Sequence, residues 1–168
     1  MDTTICDDVI VELYNMANVT NNSPGPYTPD FVANATVQTN GTLLAQFPPS
    51  TKGQSYWLSI NHRNHVKTWS ANPMTINEYS LYDFTSSASQ AFGSNQVQVE
   101  SGIWAMYSGD INQDGVVDGL DYNDWENDSN NFASGYFSTD LNGDGIVDGL
   151  DFIFWEQNSN NFVGAVTP

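Results

Sequence analysis

Short runs of alternating apolar and polar residues fill the first two thirds of the chain. Eight such runs are separated by turn-forming residues: 9–14, 31–38, 42–47, 56–63, 65–70, 79–85, 96–100 and 103–107. A period of two with many β-branched and aromatic residues predicts strands, and no helix-length period interrupts them. The spacing of these strands predicts an antiparallel β-sandwich domain over residues 1–107.

The dipeptide Asn40-Gly41 lies between the second and third predicted strands. Asn-Gly between two such runs is the strongest short-range hairpin signal, because it suits a two-residue turn with positive φ at both positions. We therefore expect residues 31–38 and 42–47 to be neighbouring strands.

From residue 108 onward the composition changes to Asp, Asn and Gly, and an internal repeat with a period of 30 residues begins. Residues 110–132 align without gaps on residues 140–162, with 15 of 23 positions identical. We interpret this as a duplicated unit that forms a second, partly helical domain over residues 108–168. The two copies are expected to pack together, because one loop and its short helix cannot bury an apolar face alone.

Each copy begins with the pattern Asp-x-Asn-x-Asp-Gly-x-Val-Asp-Gly-Leu-Asp. An EF-hand loop binds calcium through oxygens at positions 1, 3, 5, 7, 9 and 12, and it has glycine at position 6. The predicted ligands in the first loop are Asp110, Asn112, Asp114, the Val116 carbonyl, Asp118 and Asp121. Those in the second loop are Asp140, Asn142, Asp144, the Ile146 carbonyl, Asp148 and Asp151.

We therefore expect two bound Ca²⁺ ions. The alternative is a metal-free turn rich in Asp and Asn, which two matched loops at a fixed period disfavour. Position 8 holds Val117 in one loop and Val147 in the other, and we expect these two residues to pair across the loops. Position 12 is Asp rather than the usual Glu, a shorter ligand that would draw the following helix closer.

Residues 109–162 resemble the dockerin type I repeat, in which Gly-Asp-x-Asn-x-Asp-Gly-x-Val-x-x-x-Asp recurs twice and a helix follows each time. Both copies match, apart from Thr139 in place of the leading glycine. The resemblance implies calcium binding and docking onto a cohesin partner. In that family the docking surface has Ser or Thr at loop positions 10 and 11 and basic residues in the helix. This chain has Gly-Leu at residues 119–120 and 149–150, and no Lys or Arg in either copy.

A second resemblance involves the upstream region. Ser-Ile-Asn-His-Arg-Asn-His at residues 59–65, Trp69, and Tyr-Asp-Phe-Thr at residues 82–85 look like the β-domain that precedes such repeats in large secreted and surface proteins of Bacteroidota. This implies an exported bacterial protein, extracellular or at the cell surface. Calcium is millimolar there, which would keep even weak loops filled.

The charge balance narrows the possible partners. Only Lys52, Arg63 and Lys67 stand against twenty acidic residues, and the formal net charge is −17. Such a surface repels nucleic acid and anionic lipid, so we expect neither as a partner. No run approaches the roughly 18 apolar residues of a membrane-spanning helix, so no membrane insertion is expected.

The sequence does not predict an enzyme. No nucleophile-elbow pattern occurs, and eight of the twenty acidic residues are predicted calcium ligands. Glu12, Glu78 and Glu100 are among the other acidic residues, but nothing marks them as a catalytic pair.

The few basic side chains have structural interpretations. His62 and His65 could form a zinc pair, but no cysteine and no third ligand accompany them, so hydrogen-bonding roles are favoured. Arg63 is expected to form an ion pair with a carboxylate such as Asp83.

Trp57 and Trp69 lie in strands whose faces also carry polar residues. An aromatic ring on a polar face could stack on a sugar, as in a carbohydrate-binding module. The alternative is that the calcium domain or another subunit covers these faces.

Together these features predict a non-catalytic extracellular calcium-binding module with a structural or adhesive role, in which calcium acts as a clasp. A rival hypothesis is a subunit of a self-assembling surface fibre, built when residues 9–14 or the apolar tail 162–166 add a strand to a neighbouring copy or another surface protein. A carbohydrate-binding module and a cohesin-binding dockerin are two further hypotheses.

Overall fold

The computed structural model describes residues 5–19 and 27–168, and it is mainly β with two C-terminal helices. The strands are β1 Ile5–Asn15, β2 Phe31–Gln38, β3 Ser55–His62, β4 His65–Trp69, β5 Met74–Thr75, β6 Val97–Glu100 and β7 Ile103–Ala105. The helices are α1 Gly119–Asn130 and α2 Gly149–Asn160. Among the described residues, no helix is long and apolar enough to cross a membrane.

The main sheet has five strands in the order β2-β1-β3-β4, with β5 paired to the start of β3. β1 is antiparallel to both of its neighbours, and Val11 lies opposite Ala33 of β2 and Ile60 of β3. β6 and β7 form a separate antiparallel hairpin. The prediction of a mainly β protein with antiparallel sheets and a small helical C-terminal part is confirmed.

β1 is buried on both faces, which explains its inner position in the sheet. On one face Val11 and Leu13 belong to a core cluster with Tyr56 and Leu58. On the other face Tyr14 is fully buried in a second cluster. An inner strand also satisfies its backbone groups on both sides, so this apolar run gains both packing and hydrogen bonds.

Two predicted strands are wrong, because residues 42–47 and 79–85 form no strand. The first core cluster is nevertheless covered by Leu43, Ala45 and Phe47. The apolar residue at every second position in 42–47 therefore indicates side chains that face the core, not a strand. In the second segment, the Asp83 carboxylate accepts hydrogen bonds from Thr85, which favours a local turn over a ladder. Irregular chain therefore covers the sheet where the sandwich prediction placed these two strands.

The predicted two-residue turn at Asn40-Gly41 is also wrong. Gly41 has a φ of 79°, but Asn40 does not have a positive φ. The Gln38 carbonyl accepts from the Gly41 N–H at 2.8 Å, and the Gln38 N–H donates to the Thr42 carbonyl at 2.8 Å. This is a three-residue turn in which glycine occupies the left-handed bulge position.

The described residues form two compact units. The first contains residues 5–19, 27–62, 68–105 and 166–168, and the second contains residues 63–67 and 106–165. The second unit therefore includes the tip of the β3–β4 hairpin in addition to both repeats. Its core contains Val66 from that tip, Val117 from the first loop and Val163 from the segment after α2.

Candidate calcium site

Position 9 of each loop is the N-cap of the helix that follows. Asp118 accepts a hydrogen bond from the Leu120 N–H at 2.7 Å, and Asp121 accepts from the Asp118 N–H at 2.9 Å. The same capping box joins Asp148 to Asp151 in the second copy. Each box fixes the start of its helix and turns the position 12 carboxylate back toward the loop.

The position 12 carboxylates lie at the centre of the loops and are fully buried. Asp121 Oδ1 accepts from the N–H groups of Ile111 and Asn112, at 2.7 and 3.1 Å. Asp151 makes the equivalent bonds in the second loop, at 2.8 and 3.0 Å. Burial raises the pKa of Asp121 above its usual value. The short Asp side chain at this position thus organises the loop backbone around a negative charge.

The position 1 carboxylate of the first loop has an orphaned oxygen. Asp110 is buried, and its Oδ2 accepts from the Gly115 N–H at 3.2 Å. Its Oδ1 is buried with no hydrogen-bond partner among the described residues. Burial, with a further contribution from the charges of Asp121 and Asp114, raises the pKa of Asp110 to about 6. A buried carboxylate oxygen with acidic neighbours fits a bound cation, which would supply the missing charge.

Position 1 of the second loop is more fully bonded. Asp140 Oδ1 accepts from the Gly143 N–H at 2.8 Å, and its Oδ2 accepts from the Gly145 N–H at 3.0 Å. The extra bond comes from the backbone N–H at position 4, which is Gly143 here and Gln113 in the first loop.

Positions 3 and 5 form consecutive side-chain turns in both loops. In the first loop, Asn112 Oδ1 accepts from the Asp114 N–H at 2.8 Å, and Asp114 Oδ1 accepts from the Val116 N–H at 3.0 Å. The second loop repeats these bonds at 2.7 and 2.9 Å. Within the described residues, no three His, Cys, Asp or Glu side chains are arranged to hold a metal by themselves. An EF-type set also uses an amide oxygen and a backbone carbonyl, which such a cluster does not include.

The predicted pairing between Val117 and Val147 is wrong. The Val117 N–H donates to the Val163 carbonyl at 2.9 Å, and the Val147 N–H donates to the Ala133 carbonyl at 3.0 Å. Each loop therefore pairs with the segment that follows the helix of the other copy. Val163 is buried against Val117 in the core of this unit, so apolar packing favours the exchanged arrangement.

Each helix also contacts the loop of the other copy, through a tryptophan. Trp125 Nε1 donates to the Asp148 carbonyl at 3.0 Å, and Trp155 Nε1 donates to the Asp118 carbonyl at 2.8 Å. Between them, the ring of Phe152 lies 5.1 Å from Trp125 and 5.3 Å from Trp155. The two copies pack against each other, as the duplicated pattern predicts.

The tip of the β3–β4 hairpin lies against both loops, which sequence reasoning missed. Asn64 donates through Nδ2 to the Asp140 carbonyl at 3.0 Å, and its own carbonyl accepts from the Gly109 N–H at 2.8 Å. Arg63, for which we predicted a partner such as Asp83, donates to the carbonyls of Phe137 and Asp140. Nothing in the local pattern at residues 63–65 signals contact with loops so distant in sequence.

The two histidines have separate partners. His62 Nε2 lies 2.9 Å from a carboxylate oxygen of Asp7, and His65 Nδ1 lies 2.8 Å from Asn64 Oδ1. These contacts agree with the hydrogen-bonding roles that we favoured over zinc.

The tryptophans considered for glycan binding do not form an open surface. Trp57 is 9% exposed and Trp69 is 3% exposed. Both pack in the core cluster with Tyr14 and Val19, and Phe92 lies edge-on to Trp57. A buried indole cannot stack on a sugar ring, so the glycan-binding hypothesis is set aside. The residues named in this cluster all lie in the first unit.

Two of the unassigned acidic residues have structural partners. Glu12 Oε2 accepts from the hydroxyls of Tyr14 and Ser59, at 2.8 and 2.9 Å. Glu78 forms an exposed ion pair with Lys52 at 2.9 Å.

Comparisons with protein-family models, curated proteins and solved structures found no match for this chain.

Proposed function

We propose that this chain is a non-catalytic calcium-binding module with a dockerin-like pair of EF-type loops, each holding one Ca²⁺. The observation that carries the proposal is the buried Asp110 Oδ1, which has no hydrogen-bond partner among the described residues. The fixed geometry at positions 3, 5, 9 and 12 supports it, because the same bonds recur in both loops.

The charge of the loops supports the same conclusion. Each loop contains four aspartates at its ligand positions, and neither repeat contains Lys or Arg. Carboxylates crowded in this way repel one another unless a cation lies between them. A divalent ion in each loop would offset half of the charge on its four carboxylates.

The proposed role of the ions is a structural clasp. Val117 of the first loop pairs with Val163 after α2, and Val147 of the second loop pairs with Ala133 after α1. An ion that fixes either loop therefore fixes backbone from both copies. We assign the module to the outside of a bacterial cell, where millimolar calcium would keep this clasp closed.

An adhesive contribution is favoured by repeated apolar residues on the surface. Phe132 is 89% exposed and Phe162 is 91% exposed, and both are at the same position after their helices. Leu120 and Leu150, at loop position 11, are also exposed. Docking of a protein partner on these matched residues is a second candidate function, in keeping with the dockerin resemblance.

The fibre hypothesis is less well supported. β1, which includes residues 9–14, is bonded on both sides within its own sheet. Residues 163–165 of the tail are paired with the first loop. Strand addition to another copy would require one of these segments to leave its partners.

The test is calorimetric titration of the chelator-treated protein with Ca²⁺, followed by thermal unfolding with and without Ca²⁺. We expect two ions per chain and a rise in the melting temperature of the second unit. The control is the double variant Asp114→Ala/Asp144→Ala, which removes position 5 from both loops and should bind neither ion tightly. Equal melting temperatures for the wild-type protein in calcium and in excess chelator would exclude the proposal.

A further inference from the structure

We infer that Asn64 is a positioning residue shared by the two calcium loops, and that it makes the two calcium-binding events cooperative. The inference rests on the proposed calcium-binding function and adds to it an element from outside both loops. Asn64 lies at the tip of the β3–β4 hairpin, 1% exposed, within the second unit.

The first link is to the second loop. The Asn64 side-chain amide donates to the carbonyl of Asp140, which is loop position 1, at 3.0 Å. The Arg63 guanidinium donates to the same carbonyl at 3.2 Å. These bonds fix the backbone at the residue whose carboxylate is the first predicted ligand. A shift of the hairpin tip would therefore shift that ligand.

The second link is to the first loop. The Asn64 carbonyl accepts from the N–H of Gly109, the residue immediately before Asp110, at 2.8 Å. The side chain of Gln113 donates to the carbonyls of His65 and Asp110, so it joins the hairpin tip to position 1 of this loop. Gln113 has a left-handed φ of 61°, which is unusual for a residue other than glycine. Position 1 of both loops is thus held from the same tip.

The tip makes further contacts within the second unit. Asn64 Oδ1 lies 2.8 Å from His65 Nδ1, and the Val66 N–H donates to the Tyr107 carbonyl at 2.8 Å. Val66 is buried against Val117 and Val163. Because asparagine supplies a donor and an acceptor from one side chain, it serves the loop and the hairpin together. Aspartate would keep the acceptor and lose the donor, and alanine would lose both.

Cooperativity follows from this sharing. An ion bound in one loop orders position 1 of that loop and, through Asn64, orders the tip. The other loop then binds its ion at a smaller entropic cost, which raises its affinity. Residues that orient metal ligands from outside typically change metal affinity by about 10-fold to 100-fold when mutated.

The experiment is calorimetric Ca²⁺ titration of the full chain in a double-mutant cycle. Asp144→Ala disables the second loop, so the first loop can be measured alone, with and without Asn64→Ala. With Asn64 present, loss of the second ion should weaken the first loop by at least about fivefold. In the Asn64→Ala background, Asp144→Ala should cause no further loss of affinity in the first loop. Asn61→Ala, in β3 outside the second unit, is the matched control and should behave like the wild type.

The outcomes separate the two proposals. A wild-type chain that binds no Ca²⁺ overturns the proposed function itself. In a second outcome, the wild type binds two ions while Asp144→Ala lowers the Ca²⁺ affinity of the first loop equally with Asn64 and with Asn64→Ala. That result overturns only the role of Asn64. If Asn64→Ala fails to fold, the cycle is repeated with Gln113→Ala, which removes an exposed side chain. An undiminished coupling in that variant also counts against the inference, since it would show that the tip is not the link.

Discussion

The indole nitrogen of Trp155 donates a hydrogen bond to the backbone carbonyl of Asp118, 2.8 Å away, and so joins the second helix to the ninth position of the first loop. Trp125 makes the reciprocal bond to Asp148. Each helix is thereby attached to the loop of the other copy, and the stability of one copy depends on the other.

This exchange predicts the effect of Trp155→Phe. The ring remains packed, but the indole donor is lost and the Asp118 carbonyl keeps only its longer bond from the Tyr122 N–H, at 3.4 Å. We expect a loss of about 1 kcal/mol in the free energy of unfolding of the second unit, measured by denaturant titration in calcium. Trp104→Phe, in β7 of the first unit, is the control and should leave that transition unchanged. An equal effect of both substitutions would contradict the assignment.

Asp110→Asn should act with opposite signs in the presence and absence of calcium. A carboxyl group whose pKa is raised on folding costs stability when it is ionised at neutral pH, and the neutral amide removes that cost. In chelator at pH 7 we expect the variant to be more stable than the wild type, on the order of 1 kcal/mol after allowance for screening.

In saturating calcium the order should reverse, because Asp110→Asn removes a charged ligand of the first ion. Thermal unfolding of the wild type and the variant, each in chelator and in saturating calcium, checks whether the order of stability reverses. A variant that is less stable in chelator as well would contradict the repulsion argument.

Gly109→Ala should destabilise the second unit. Gly109 has a φ of 109°, and a Cβ placed there would lie 2.9 Å from Val117 Cγ1. We expect a cost of roughly 1–3 kcal/mol in the free energy of unfolding, from backbone strain and the displaced valine. Gly119→Ala is the matched control, because nothing lies within 4 Å of its Cβ position. Denaturant titration that gives similar values for both would exclude this explanation.

Phe132→Gly should stabilise the protein despite the loss of an aromatic ring. Phe132 has a left-handed φ of 51° after α1 and is almost fully exposed, so its ring contributes little packing. Glycine relieves the strain, and we expect a gain of about 1 kcal/mol in unfolding free energy. Phe132→Ala removes the same ring but keeps a Cβ, so it should give no such gain. A loss of stability in the glycine variant would mean that the ring is packed.

The local features of the second unit could be predicted from the sequence because each depends on residues a few positions apart. Positions 1 to 12 of a loop follow one another, and the capping box joins Asp118 to Asp121, three positions further along the chain. The helices after both loops were expected for the same reason. Thr139 can replace the leading glycine because its backbone does not have the positive φ of Gly109, but the bond from its hydroxyl to Asp128 in α1 is not local.

The pairings between distant segments could not be predicted. Val117 could pair with Val147 or Val163 with equal local propensity, and only burial of the tail decides between them. Residues 42–47 have a strand-like alternation but form no ladder, because a strand needs a neighbouring backbone as well as an inward face. No sequence pattern around Asn64 indicates its role, because its partners Gly109 and Asp140 are far away in sequence and come close only in the folded protein.

The pairing of residues 163–165 with the first loop makes the order of synthesis matter. The first loop leaves the ribosome long before the segment that closes it, so a partly synthesised chain cannot complete that loop. Contacts so far apart in sequence also form more slowly than the short helices between them. The pairing of the first loop with residues 163–165 can therefore form only after that segment has been synthesised.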